Sequence, residues 1–147
     1  MEEFYLSVGD KQLFSKTIGE FDIYAFAGIT GDFSPNHIND IFMKQTHYGG
    51  RIAHGVLLIG FMSTASTLLV ENKRNNEWRE SPVSKGYNQI RFLKGVFIGD
   101  TITVNYTIKS IELSKRQTLA DIEIKNQKDD LVAIAEHIMK WVRKENV

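Results

Sequence analysis

The chain contains no cysteine. Disulfides, a thiolate nucleophile and cysteine-ligated zinc are therefore excluded, and the composition fits a reducing cytosol. An excess of charge is also missing, since 18 basic residues balance 18 acidic ones. That disfavours a nucleic-acid binder relying on a net basic field, whose affinity comes largely from Lys and Arg meeting phosphates. The opening residues Met1-Glu2-Glu3-Phe4-Tyr5 lack the basic start and apolar run of a signal peptide. The expectation is a cytoplasmic protein with no nucleic acid and no membrane as partner. Internal repeats and low-complexity segments are absent too. At 147 residues, the chain is the size of one domain with a real core, or one subunit of an oligomer.

One long hydrophobic run is present. From Ile52 to Val70 no residue is charged, and every polar side chain is small except His54. A helix here would rise about 1.5 Å per residue, or roughly 27 Å from Ala53 to Val70. Val56, Leu57, Leu58, Ile59, Phe61 and Met62 would cover most of its circumference, the pattern of a helix enclosed by protein. Its length sits at the threshold for crossing a bilayer. His54, the glycines, the Ser/Thr residues and a remainder that reads as strands needing partners all argue for a core helix instead.

Around this run the chain divides by period. Gly9-Asp10 is a turn, and Leu13–Ile18 favours a strand. Phe21, Tyr24, Ala25 and Gly28 fall at i, i+3, i+4 and i+7, so a helix is expected with that stripe inward. Thr30-Gly31-Asp32 ends it, with Gly31 supplying the left-handed cap. Pro35 makes Ser34 extended, a short helix is expected over Asn39–Thr46, and Tyr48-Gly49-Gly50 breaks it. Glu71–Pro82 reads as a surface connection from which Trp78 reaches back to the core. Residues Tyr87–Val96, Thr101–Ile108, Thr118–Lys125 and Leu131–Val142 read as strands, the middle two with clean alternation. The simplest packing is α+β, a curved antiparallel sheet wrapped around the long helix. A helix apolar all round needs cover on every side, and a dimer is the economical way to provide it.

The chemistry-bearing residues cluster before and at the start of that helix. Asp32 and His37, separated by a segment stiffened by Pro35, form a competent acid–base pair. The alternative is that Asp32 caps a helix and His37 is an exposed loop residue. His54-Gly55 heads the long helix, where backbone N–H groups lack intrahelical partners and the dipole is positive. An oxygen developing negative charge would be stabilised there, with Gly55 permitting close approach; alternatively Gly55 serves packing and His54 is a cap or surface residue. A zinc set from His37, His47 and His54 matches no defensible ligand spacing, so no metal and no cofactor is expected. Ser63 lies outside a nucleophile elbow, and a helix-interior serine usually bonds back to the carbonyl a turn earlier.

Taken together, Phe26-Ala-Gly-Ile-Thr-Gly-Asp-Phe-Ser-Pro-Asn-His-Ile-Asn39 and Tyr48-Gly-Gly-Arg-Ile-Ala-His-Gly-Val-Leu57 resemble the hydratase motif of the MaoC-like, (R)-specific enoyl-CoA hydratase family. Phe92-Leu-Lys-Gly-Val-Phe-Ile-Gly-Asp-Thr101 resembles that family's segment leading into the central strands. The resemblance runs over essentially the whole chain and implies a single hot-dog domain over residues 1–147, forming a homodimer or higher homo-oligomer. It implies a hydratase or dehydratase of fatty acid metabolism, acting on an acyl-CoA or acyl-carrier-protein thioester. Asp32 and His37 would be catalytic, Gly55 N–H would face the thioester carbonyl, and Asn36, Ala53, His54 and Ser63 would line the substrate. Two departures stand out: Ser34-Pro35 where the family commonly has Asn-Pro, and Gly95 where it has Pro, a change expected to loosen a strand. A hot-dog thioesterase, or an acyl-thioester binding module without turnover, would use the same groove.

Overall fold

The computed structural model describes Phe4 and residues 6–75 and 79–145. The element order is β1 (Lys11–Thr17), α1 (Glu20–Thr30), α2 (Pro35–Ile38), α3 (Asp40–Lys44), α4 (Gly55–Lys73), β2 (Glu80–Phe92), β3 (Thr101–Glu112), β4 (Gln117–Lys125) and β5 (Leu131–Arg143). The strands form one antiparallel sheet in the order β1-β3-β4-β5-β2. The long helix α4 seats against it, so the fold is α+β with the hot-dog arrangement. Trp78, expected to reach back to the core, lies outside the described residues.

Period-two patterning builds the sheet's inner face. Ile102, Val104, Tyr106 and Ile108 of β3 are buried, as are Ala120, Ile122 and Ile124 of β4. On β5 the buried series is Ala133, Ala135, His137, Met139 and Trp141. Each fully buried large aliphatic side chain contributes about 1.5–3 kcal/mol, so these rows, with the face of α4 that meets them, dominate stability. Small Ala residues on β4 and β5 leave room for the helix.

Several expectations need correction. The helix α4 is not enclosed: only a third of its most apolar window is buried. Its inward stripe is Leu58, Met62, Ala65, Ser66, Leu69 and Val70, at the i, i+4, i+7, i+8 spacing of one helical face. Val56 on the other side is half exposed. The helix is long and apolar enough to cross a membrane, yet here it seats that stripe on the sheet. It also runs to Lys73, and β2 starts at Glu80, so the connection is shorter than Glu71–Pro82.

On α1 the buried residues are Ile23 and Ala27, whereas Phe21 is 81% exposed and Tyr24 is exposed as well. The stripe chosen from spacing alone faces outward because Ile23 and Ala27, one turn apart, form the side that meets the core. The C-cap is as expected, with Gly31 left-handed at φ 80°. On β2, register shifts between Ser84 and Gly86 and between Asn88 and Arg91 break the alternation, which is why its sequence alternates only in part. Gly95 lies beyond β2 and loosens no strand. A Cβ there would come within 3.0 Å of Ile52 Cγ2 and 3.2 Å of the Tyr48 ring, so the glycine lets two loops touch.

Candidate active site

Asp32 to His37 leaves α1 and turns back on itself. Asp32 Oδ1 accepts the Ser34 N–H at 3.2 Å, an Asx turn rather than a helix cap. Ser34 is extended (φ −53°, ψ 139°), and Pro35 opens the single turn α2, where a missing N–H costs nothing. The cap of the next helix is Asn39, whose Oδ1 accepts Phe42 N–H at 2.9 Å. His37 is not an exposed loop residue: it is 9% exposed.

Three hydrogen bonds tie this turn to the segment ahead of α4. Ile52 N–H donates to the Asn36 carbonyl at 3.1 Å. His37 Nδ1 meets the Ile52 carbonyl at 2.8 Å, and His54 Nε2 meets the Asp32 carbonyl at 2.9 Å. A carbonyl oxygen can only accept, so each of those ring nitrogens carries a proton. In the neutral imidazole, His37 is then left with a bare Nε2, a lone pair available as a base. His54 is left with a bare Nδ1, which is buried with no hydrogen-bond partner. The two rings stack at 3.7 Å between centroids, and Phe26 packs on His54 at 4.7 Å.

An Asp32 carboxylate oxygen, a His37 ring nitrogen and a His54 ring nitrogen all lie within 4.8 Å of one another. That grouping raises the question of an ion. Near-parallel stacked rings send their in-plane lone pairs side by side rather than to one point, and metal–nitrogen bonds of about 2.0–2.1 Å demand convergence. The arrangement suits proton transfer better. His47 stacks on Tyr48 at 4.0 Å and is not in the cluster.

Gly55 is the first residue of α4, with His54 as its N-cap, so its amide has no acceptor one turn earlier. The helix dipole adds partial positive charge at this point. A Cβ on Gly55 would lie 2.7 Å from Phe92 Cδ2 and 2.8 Å from Cε2. The Phe92 ring takes the space a side chain would need, which supports the packing reading of this glycine.

The remaining candidates are placed differently. Ala53 spends its N–H on the Val96 carbonyl at 2.7 Å and is 6% exposed. Asn36 contributes its carbonyl to the tie with Ile52, and its side chain is exposed. Ser63 sits two turns into α4, about 12 Å along the axis from Gly55, and is not brought to the Asp32–His37 cluster. Its expected bond to the preceding turn is not made. Its own carbonyl instead accepts from Ser66 and Thr67. Arg51 pairs with Glu20 at 2.5 Å and with Tyr24 Oη at 2.9 Å, anchoring α1 to the segment leading into α4. That guanidinium holds the Glu20 carboxyl below its ordinary range.

Sequence reading missed Phe92, Tyr87 and His137. Tyr87 and His137 face each other across β2 and β5, and their rings stack at 4.2 Å. Fifty residues separate them in the chain, so no local pattern could pair them. His137 is 1% exposed, and bonds Ser84 Oγ through Nε2 and Tyr106 Oη through Nδ1, both at 2.8 Å. Burial pushes its imidazole down to about 4 and pushes the Tyr106 phenol up.

The family model for the MaoC like domain matches residues 5–129. An (R)-specific enoyl-CoA hydratase of Rhodospirillum rubrum is 34% identical over 109 residues, 74% of this chain and 69% of that protein. Among solved structures, the (R)-hydratase from A. caviae involved in PHA biosynthesis superposes with a TM-score of 0.79 at 27% identity, covering 92% of this chain and 96% of that one. A monoamine oxidase regulatory protein from Archaeoglobus fulgius gives a TM-score of 0.80 at 28% identity, with 96% and 93% covered.

Proposed function

The chain belongs to the MaoC-like domain family, and from that premise we propose that it adds water to a trans-2-enoyl thioester, giving an (R)-3-hydroxyacyl thioester, and catalyses the reverse dehydration. The observation that carries this reading is the hydrogen-bonded tie between residues 32–37 and 52–54. It leaves His37 Nε2 bare and holds the Asp32 carboxylate within 4.8 Å of the histidine nitrogens.

The steps follow from those groups. Asp32 and His37 together orient a water toward C3 of the enoyl group. As the water oxygen bonds to C3, one of the pair takes its proton and the π electrons move toward C2 and the carbonyl. The thioester oxygen gains negative charge, which Gly55 N–H at the head of α4 stabilises. A proton then reaches C2 from the pair, so one water is added and both groups return to their starting states.

The handle is a CoA or acyl-carrier-protein thioester, and the working unit is a homodimer. Supporting the dimer are the half-exposed side of α4 around Val56, the edge position of β2, and exposed Phe21, Ile29 and Ile41 on the short helices. Large exposed apolar side chains are features that contacts between copies cover. Replacing His37 by Gln keeps a hydrogen-bonding side chain and removes the base. Hydration of an enoyl-CoA should fall about 10²–10⁴-fold, and retention of full activity would overturn the reading. Release of free thiol from acyl-CoA without enoyl hydration would identify a thioesterase instead.

A further inference from the structure

The short segment 51–54, which carries His54 and orients His37, is tied to two neighbours. Toward the turn after β2, Ala53 N–H donates to the Val96 carbonyl at 2.7 Å, and Ile52 bridges to Phe97. Toward α1 the polar tie is the Arg51 side chain. Its guanidinium donates to Glu20 Oε1 at 2.5 Å and to Tyr24 Oη at 2.9 Å. Tyr24 Oη in turn donates to Glu20 Oε1 at 3.2 Å, so the three side chains form a closed set. The guanidinium carbon also stands 5.6 Å from the centroid of the Tyr24 ring, within cation–π range.

This fork gains its meaning from the residue that follows it. Ile52 N–H donates to the Asn36 carbonyl, and the Ile52 carbonyl accepts from His37 Nδ1. Both backbone groups next to Arg51 therefore hold the turn that carries the acid–base pair. At the other end of the fork, α1 runs through its Gly31 cap into Asp32. Arg51 thus links the helix that delivers Asp32 to the backbone that orients His37. Folding stability alone does not account for it. The Glu20 side chain is 53% exposed against 12% for Arg51, and ion pairs with one end in water add little to stability. A planar guanidinium with two partners is instead a constraint on angle and distance that an ammonium does not reproduce. Misplacing a reacting group by about 1 Å costs about 10²-fold in rate.

We propose that Arg51 is a positioning residue for the reaction. Through Glu20 and Tyr24 it sets where Asp32 stands relative to His37, and it does not touch substrate. The assignment rests on the hydratase reading for the reaction it serves.

The test replaces Arg51 by Met, which keeps the apolar stem, and by Lys, which keeps the charge but not the fork. With crotonyl-CoA, Arg51→Met should lower kcat about 10²-fold and leave KM within about twofold. Arg51→Lys should recover part of that loss. Glu20→Ala should lower kcat about tenfold, and adding it to Arg51→Met should cost nothing more, because the two side chains act as one unit. A second readout needs no activity. Exchange of the Ile52 amide hydrogen, followed by nuclear magnetic resonance, should be about tenfold faster in Arg51→Met, with the amides of β4 unchanged. An unchanged kcat, a loss confined to KM, or losses from Glu20→Ala and Arg51→Met that multiply would overturn the proposal. Faster exchange spread equally over β4 would do so too, since it marks a general loss of stability. If the wild type does not hydrate crotonyl-CoA while Ile52 alone loosens, the hydratase reading fails and Arg51 remains the residue that fixes the Asp32–His37 turn. Glu20→Ala, at an exposed position, carries the test if Arg51→Met does not fold.

Discussion

His37 donates from Nδ1 to the Ile52 carbonyl at 2.8 Å, and that bond leaves Nε2 as the free lone pair. His54 supports the arrangement from beneath, stacking on His37 and holding the Asp32 carbonyl. His54→Phe would keep a ring to stack on but lose the bond to Asp32. The expected result is a loss of about 0.5–1.5 kcal/mol in urea unfolding, from the hydrogen bond to the Asp32 carbonyl, together with a lower kcat. Unchanged stability and kcat would separate His54 from the site. Gly55→Ala should cost about 1–3 kcal/mol, because its methyl group meets the Phe92 ring. A stability equal to wild type would mean that the ring moves aside freely.

Among the elements, those that carry the site were legible where their signals are local. The Gly31 cap, the extended Ser34 before Pro35 and the start of α4 all depend on residues within a few positions of one another. Asp32, His37 and Gly55 therefore emerged from the sequence together. What was not legible depends on partners distant in the chain. The α1 stripe was misassigned because spacing identifies two candidate faces, and only contact with the core selects Ile23 and Ala27. The irregular register of β2 conceals Tyr87 opposite His137. That pair leads to a pH prediction for β5. His137 has its folded pKa depressed to about 4 by desolvation, from an ordinary 6.5. The unfolded chain therefore binds this proton first. The stability tied to a neutral His137 is complete above about pH 6.5 and is lost as pH falls toward 4, a change of roughly 3 kcal/mol by linkage. Unfolding measured at pH 7 and pH 4.5 should show that loss, and His137→Gln, which does not titrate, should show a smaller one. Equal slopes would assign the acid sensitivity to other groups.

For the whole molecule, one copy leaves much of its longest apolar helix uncovered and presents β2 as a sheet edge. Unpaired edges and exposed apolar faces are features that proteins usually cover. Sedimentation at twice the mass of the chain is expected at micromolar concentration, and a monomer there would contradict the dimer. The central claim is that Asp32, His37 and the Gly55 amide act together on an enoyl thioester. Its most direct test is the ultraviolet absorbance of the conjugated thioester, followed with crotonyl-CoA for the wild type and Asp32→Asn. The account predicts a steady loss of absorbance with the wild type and a rate about 10²–10⁴-fold lower with Asp32→Asn, with folding unchanged by circular dichroism. Equal rates for the two proteins, or no absorbance change with the wild type, would contradict it.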